Sequence, residues 1–226
     1  PVEQLEFEDD KVKFCFFLLI SRFCDQFERT KAVAEYKTHK VLNLPPNWKE
    51  HPKWPLEDYQ KAATIFAKSS STSALFLDKG LGKTACAIRW IDLHAREHYE
   101  KFLLLPEQER KEHPERGMFK VVVVAPAQVL LNWKEEVAKF TTEYGKVTIC
   151  RGGKFKRVQQ FSEALVPEPD CLFSVLVASY DTISACGDII GLAEWDALIC
   201  DESQHVKDPR TNRFDALKLL REKCNF

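Results

Sequence analysis

From Ala74 to Thr84 the chain reads ALFLDKGLGKT, a short apolar run that breaks into two glycines and ends in a lysine and a threonine. The apolar residues Ala74 to Leu77 predict a buried strand. The residues after Thr84 carry Ala87, Ile88, Ile91 and Ala95 at helical spacing, and so predict a helix with one buried side. Between strand and helix, Gly80 and Gly82 let the backbone curl until successive N–H groups and the helix N-terminus face an anion. Lys83 is placed to neutralise phosphate charge and Thr84 to offer its hydroxyl to a magnesium ion. The longer phosphate-loop pattern is incomplete, because Leu77 stands where its first glycine belongs. The shorter pattern arises by chance in roughly one chain in a hundred of this length, so an ordinary glycine turn is the reading to beat.

Working outward, helical and strand-like segments alternate. Upstream, Asp58 is placed to cap a helix with Ala62, Ala63 and Phe66 on one face. Downstream, the polar stretch Glu107 to Gly117 reads as a solvated loop, and Val121 to Val124 as a fully buried strand bounded by Ala125 and Pro126. Leu130, Trp133, Val137 and Phe140 recur as the stripe of a helix laid on a sheet. Further strands are expected at Val147 to Cys150, Phe173 to Ala178 and Ala197 to Cys200. Near-continuous apolar strands alternating with helices predict an α/β fold, its parallel sheet covered on both faces.

The last of these strands runs straight into Asp201 and Glu202. Ligands bind at the carboxyl edge of parallel sheets, where an aspartate can hold magnesium and a neighbouring glutamate can orient and deprotonate water. A strand followed by two acids is common by itself. Its value comes from the phosphate loop that precedes it.

Composition narrows the class. The 226 residues carry 33 Lys and Arg against 34 Asp and Glu, so there is no general basic field and any nucleic-acid contact must be local. Eight cysteines lie mostly in apolar stretches, without zinc-knuckle spacing, and read as reduced core thiols. The greasiest stretch, Phe14 to Ile20, is too short to span a bilayer, and with neither signal peptide nor sequon the expectation is an intracellular protein without membrane contact. The first residue is Pro1 rather than methionine, which reads as an excised or processed piece.

Two parts are expected. Residues 1–55 form a helical appendage over Glu6 to Tyr36 and a linker, Asn43 to Pro55, in which four prolines and two tryptophans forbid regular structure. Residues 56–226 form the nucleotide-binding lobe.

The order of these segments resembles the switch/sucrose-nonfermentable group of superfamily-two helicase-like ATPases. The resemblance rests on Leu56 with Tyr59 and Gln60, on Asp78 to Thr84, and on VVVVAPAQVLLNWKEEVAKF from Val121 to Phe140. It continues through VLVASYDTI from Val175 to Ile183 and WDALICDESQHVKDPRT from Trp195 to Thr211. It covers Leu56 to the C-terminus. Lys79 stands where that family usually has methionine, and Ser203-Gln204-His205 replaces its commoner alanine-histidine, which leaves the subfamily open.

The resemblance implies a RecA-like P-loop lobe that binds ATP and Mg2+. It implies nucleotide contacts from Tyr59, Gln60, Asp78, Lys79, Gly80, Leu81, Gly82, Lys83 and Thr84, with Gln60 reading adenine. Thr84 and Asp201 would hold the metal, and Lys83 and Glu202 would carry the chemistry. Double-stranded DNA would lie along the loops at Pro126, Asn132, Ser179 and Tyr180. A basic loop with Arg151 and Lys154 is a second candidate, though such charge runs are more often solvated faces. The expected function is a DNA translocase motor for chromatin remodelling, recombination, repair or a viral or phage helicase. It would work in the nucleus of a eukaryote, or otherwise in the cytoplasm or nucleoid. A second RecA-like lobe, beginning after a strand with a threonine-glycine-threonine motif, and a protein partner on the appendage are implied as well. An RNA or single-strand helicase lobe and a non-catalytic nucleotide platform are the alternatives. The Asn132-Trp133 helix disfavours the first, and intact Lys83, Thr84, Asp201 and Glu202 disfavour the second.

Overall fold

Four valines in a row, Val121 to Val124, are wholly shielded from solvent at the centre of the sheet. β-branched side chains suit a pleated surface buried on both sides, and each such burial stabilises by about 1.5–3 kcal/mol. The computed structural model describes residues 42–69 and 72–226. The helix expected over Glu6 to Tyr36 lies outside them.

The described residues form helices α1 (Asp58–Lys68), α2 (Lys83–Leu103) and α3 (Glu107–Glu112), then strand β1 (Phe119–Ala125). Helix α4 (Leu130–Phe140), β2 (Gly145–Cys150), α5 (Lys154–Leu165), β3 (Phe173–Ser179), α6 (Tyr180–Ile190), β4 (Ala197–Cys200) and α7 (Asn212–Arg221) follow. The strands lie in the order β2-β3-β1-β4 and every pairing is parallel. Alternation along β1 sorts the core. Val121 and Val123 meet α2 and α4 through Ile88, Ile91, Leu130, Trp133 and Val137. Val122 and Val124 meet α5, α6 and α7 through Phe161, Ile183, Ile190, Leu217 and Leu220. The expected α/β sheet with both faces covered is therefore present.

Several local expectations need correction. Ala74 to Leu77 joins no strand, and Phe76 is 95 % exposed. A strand needs a partner edge, and the outer edge of β4 is already bonded elsewhere. There the Leu198 N–H donates to the Phe226 carbonyl (3.0 Å) and the Phe226 N–H to that of Asp196 (2.9 Å). Helix α1 is capped by Glu57, not Asp58, through a capping box with Gln60. Its buried residues are Thr64 and Ala67, whereas Ala62, Ala63 and Phe66 are half-buried. The stretch from Glu107 to Arg116 is mostly exposed as expected, but Gly117 is buried and the stretch holds α3 and a 3-10 turn.

The linker docks on the lobe. Arg96 of α2 donates to the Asn47 carbonyl (2.5 Å) and to Glu143 (2.8 Å), and Lys61 pairs with Glu50 (2.6 Å). Beneath it Asp92, with no exposed side-chain surface, accepts from Arg89 (3.0 Å) and from the Thr142 N–H (2.9 Å) and hydroxyl (3.0 Å). Six described cysteines are free, and five of these are buried. Burial pushes the Cys86, Cys150 and Cys200 thiols up to about 11, which keeps them protonated and unreactive. Among the described residues no helix is long and apolar enough to cross a membrane.

Candidate nucleotide site and carboxyl edge

Because every strand is parallel, Pro126, Arg151, Tyr180 and Asp201 all follow strand ends on one edge of the sheet. The glycine loop meets that edge. Gly80 (φ 86°) and Gly82 (φ 78°) both lie in the left-handed region, where a side chain would be strained. A Cβ on Gly82 would also fall 2.4 Å from the Gln60 amide. Gly82 caps α2, whose first turn carries no acidic residue, so its free N–H groups and helix dipole are open to an anion. Lys83 folds its ammonium into the loop, donating to the Leu77 (2.8 Å) and Asp78 (3.4 Å) carbonyls.

Gln60 donates to the Leu81 carbonyl (3.2 Å) while its own oxygen accepts from the Glu57 N–H (2.9 Å). That ties the first turn of α1 to the loop. Tyr59, Leu81, Asp78 and Lys79 are exposed around it.

Across the cleft, Asp201 is held at three points. Its N–H continues the ladder to Val124 (2.8 Å), its carbonyl accepts from the Tyr180 hydroxyl (2.7 Å), and its carboxylate accepts from the Trp133 indole (3.0 Å). Glu202 adopts φ 53°, a left-handed conformation that costs a non-glycine residue about 1 kcal/mol or more, and its carboxylate accepts from Gln204. The cleft between loop and edge encloses about 710 Å³, with Lys83, Thr84, Asp201 and Glu202 among its lining residues. Such a volume suits a ligand of nucleotide size.

A carboxylate missed by sequence reading also belongs here. Glu136 of α4 is half-buried, and desolvation raises its pKa while the nearby Thr84 hydroxyl and the charge of Lys139 lower it. Repulsion from Asp201 adds to the rise. The Thr84 hydroxyl and the Asp201 carboxylate are hard oxygen donors, which fits a magnesium ion. Among the described residues no three His, Cys, Asp or Glu side chains make a complete metal cage. Magnesium needs none when phosphates and water complete its shell. Glu136 was hidden because its spacing from Trp133 reports a helix face and not what that face meets.

The residues expected on DNA divide into two groups. Ser179 is 8 % exposed and caps α6 by accepting from the Thr182 N–H (3.1 Å), and Tyr180 is 4 % exposed. Both hydroxyls are therefore engaged within the fold. Asn132, Arg151 and Lys154 are exposed, and Pro126 is buried beneath the exposed Ala127 and Gln128. Gly152 (φ 100°) turns the basic loop into α5.

The chain shares sequence and fold with known proteins. The chain is 31% identical over 185 residues to the DNA excision repair protein ERCC-6-like 2 of Mus musculus, covering 76% of this chain and 11% of that protein. It is 27% identical over 169 residues to the chromatin-remodeling ATPase INO80 of Drosophila melanogaster, covering 72% of this chain and 9% of the relative. The chain thus spans about a tenth of these relatives' length. In fold it is similar to the Sulfolobus solfataricus SWI2/SNF2 ATPase core domain, with a TM-score of 0.51, 21% identity, and coverage of 82% of this chain and 32% of that one. The model of the SNF2-related domain family matches residues 35–224, and the chain belongs to that family.

Proposed function

We propose that this chain is the first ATP-binding lobe of an ATP-driven motor acting on double-stranded DNA. One observation carries the reading: Lys83 and Thr84 face Asp201 and Glu202 across a single cleft at the carboxyl edge of a parallel sheet. Lys83 and the N–H groups at the start of α2 would bind the phosphates. Thr84 and Asp201 would hold Mg2+, which supplies charge neutralisation of phosphate oxygens when bound. Glu202, free on one carboxylate oxygen and fixed by Gln204 on the other, would orient and deprotonate the attacking water. Duplex backbone would track along Ala127, Asn132, Arg151 and Lys154, contacts that position a duplex without reading its bases. Work on chromatin and DNA repair, named in the relatives, supports a nuclear site of action in a eukaryotic source.

Titrating Mg·ATP by calorimetry tests the site. Lys83→Ala should weaken binding by roughly tenfold or more. Glu202→Gln should bind as the parent does and, within a two-lobed protein, lose turnover, because a water-orienting carboxylate acts on the transition state. Undiminished affinity in Lys83→Ala would sink the assignment.

A further inference from the structure

Four large apolar side chains, Phe76, Leu104, Phe155 and Leu192, are far more exposed than any other among the described residues. Leu104 and Leu192 follow the ends of α2 and α6, helices that return the chain to the amino edge of the sheet, and Phe76 stands at the nucleotide cleft. Phe155, 87 % exposed in the first turn of α5, is on the carboxyl edge and outside that cleft. It is also the only exposed apolar residue of α5. Its neighbours are cations: Arg151, Lys154, Lys156 and Arg157, with no acid between Cys150 and Glu163. Arg151, Lys154 and Lys156 are exposed, and no ion pair among the described residues uses them. Asp181, at the neighbouring strand end, is already paired with Arg213 (2.6 Å).

The loop is fixed in place. The Arg151 N–H donates to the Gln160 side-chain oxygen (2.9 Å), Gly152 turns the chain at φ 100°, and the Lys156 stem lies against that glycine, 3.2 Å from where a Cβ would stand. Arg157 donates to the Cys186 sulfur (3.8 Å) and so braces α5 on α6. A ring held in water between unpaired cations matches a polyanion with an apolar interior. Duplex DNA is such a ligand, since phosphates meet the cations and an apolar side chain can enter between base pairs. Resting on the reading of this chain as a motor on duplex DNA, we propose that Phe155 is a wedge inserted into the minor groove, with Arg151, Lys154 and Lys156 on the flanking phosphates. Unstacking is easiest at flexible pyrimidine–purine steps, so the wedge gives a lobe that otherwise tracks the backbone a preference for TA steps.

The test separates wedge from charge. The 226-residue chain is titrated by fluorescence anisotropy, over a range of salt, against two labelled duplexes of equal composition, one with central TA steps and one with an unbroken A-tract. The parent should favour the TA duplex. Phe155→Ala should lose about tenfold on it, lose less on the A-tract and keep the parental salt slope, because no phosphate contact is removed. Phe155→Leu should retain most of the preference, since leucine also serves as a wedge. Lys154→Gln with Lys156→Gln should weaken both duplexes alike and reduce the salt slope by about 2. A 2-aminopurine placed beside the TA step should brighten on binding the parent and stay dark with Phe155→Ala. Equal affinity of the parent for the two duplexes, an equal loss or no loss in Phe155→Ala, or no brightening with the parent would overturn the wedge and leave the duplex reading standing. A parent that binds neither duplex at low salt would overturn that reading, and the wedge with it.

Discussion

At the scale of single residues, His94 makes a prediction unrelated to chemistry. Its ring packs against Trp90 (4.2 Å), Phe226 (4.6 Å) and Phe119 (6.0 Å), and its Nε2 has no hydrogen-bond partner. Burial, aided by the charges of Lys68 and Lys101 and opposed by Glu97, lowers its pKa from 6.5 to about 4. The folded state therefore binds the proton less readily than the unfolded chain. Stability is fully present above pH 6.5 and is lost as pH falls from there toward about 4. At pH 5 the loss from this residue should be about 2 kcal/mol. Urea unfolding at pH 7.5 and 5 should show His94→Leu losing about 2 kcal/mol less than the parent over that interval. An equal drop in both proteins would exclude His94 as the cause. No sequence pattern distinguishes this histidine from a ligand, because its aromatic neighbours come from α2, β1 and the C-terminal residues.

At the scale of elements, α2 is buried on more than one side because the docked linker covers what would otherwise be its solvent face. Arg89, Asp92 and Arg96 lie there at 0 %, 0 % and 5 % exposure. Burial lowers the Arg89 pKa and raises that of Asp92, opposed in each case by the partner's charge, so the pair holds only as a pair. Asp92→Ala leaves Arg89 buried without a countercharge and should cost about 3–5 kcal/mol. Thermal melting should fall by on the order of 10 °C. Arg89→Met with Asp92→Leu should recover most of it, since apolar side chains of similar volume need no countercharge. A double variant as unstable as Asp92→Ala would show that the pair does more than balance charge. Element by element, legibility followed the strength of the apolar signal. The run from Val121 to Val124 announced β1, and the stripe from Leu130 to Phe140 announced α4. Helix α3 was missed because polar pairs support it, Lys111 with Glu107 (2.6 Å) and Gln108 with Glu112 (2.9 Å), and these leave no apolar period.

At the scale of the whole molecule, the cleft is lined by Lys83, Lys218, Thr72, Thr84, Asp201 and Glu202, and by one arginine. The sole arginine among its lining residues, Arg221, donates to the Cys224 carbonyl (2.9 Å). The family resemblance implies that a second RecA-like lobe brings arginines for the transferring phosphoryl group, an effect of about a thousandfold or more in rate. The 226-residue chain assayed alone should therefore hydrolyse ATP negligibly, and a protein carrying a second lobe on the same chain should show turnover stimulated by duplex DNA. Comparable DNA-stimulated rates from the two would mean that the described lobe is catalytically sufficient. Phe76 is exposed at the rim of the same cleft.

The sequence by itself determined the fold class and marked the glycine loop and the acidic pair as the candidate site. Each is a local pattern whose meaning rests on residue type and spacing: valines for a buried strand, glycines for positive φ, acids directly after a strand. Tertiary structure decided the rest. It withheld a strand from Ala74 to Leu77, because pairing depends on a distant edge. It turned Ser179 and Tyr180 inward, because a cap and a buried hydroxyl depend on Thr182 and Asp201. It brought Glu136 to Thr84, 52 positions away, because α4 and α2 pack on the same face of the sheet, and no spacing along a chain records which helices share a face.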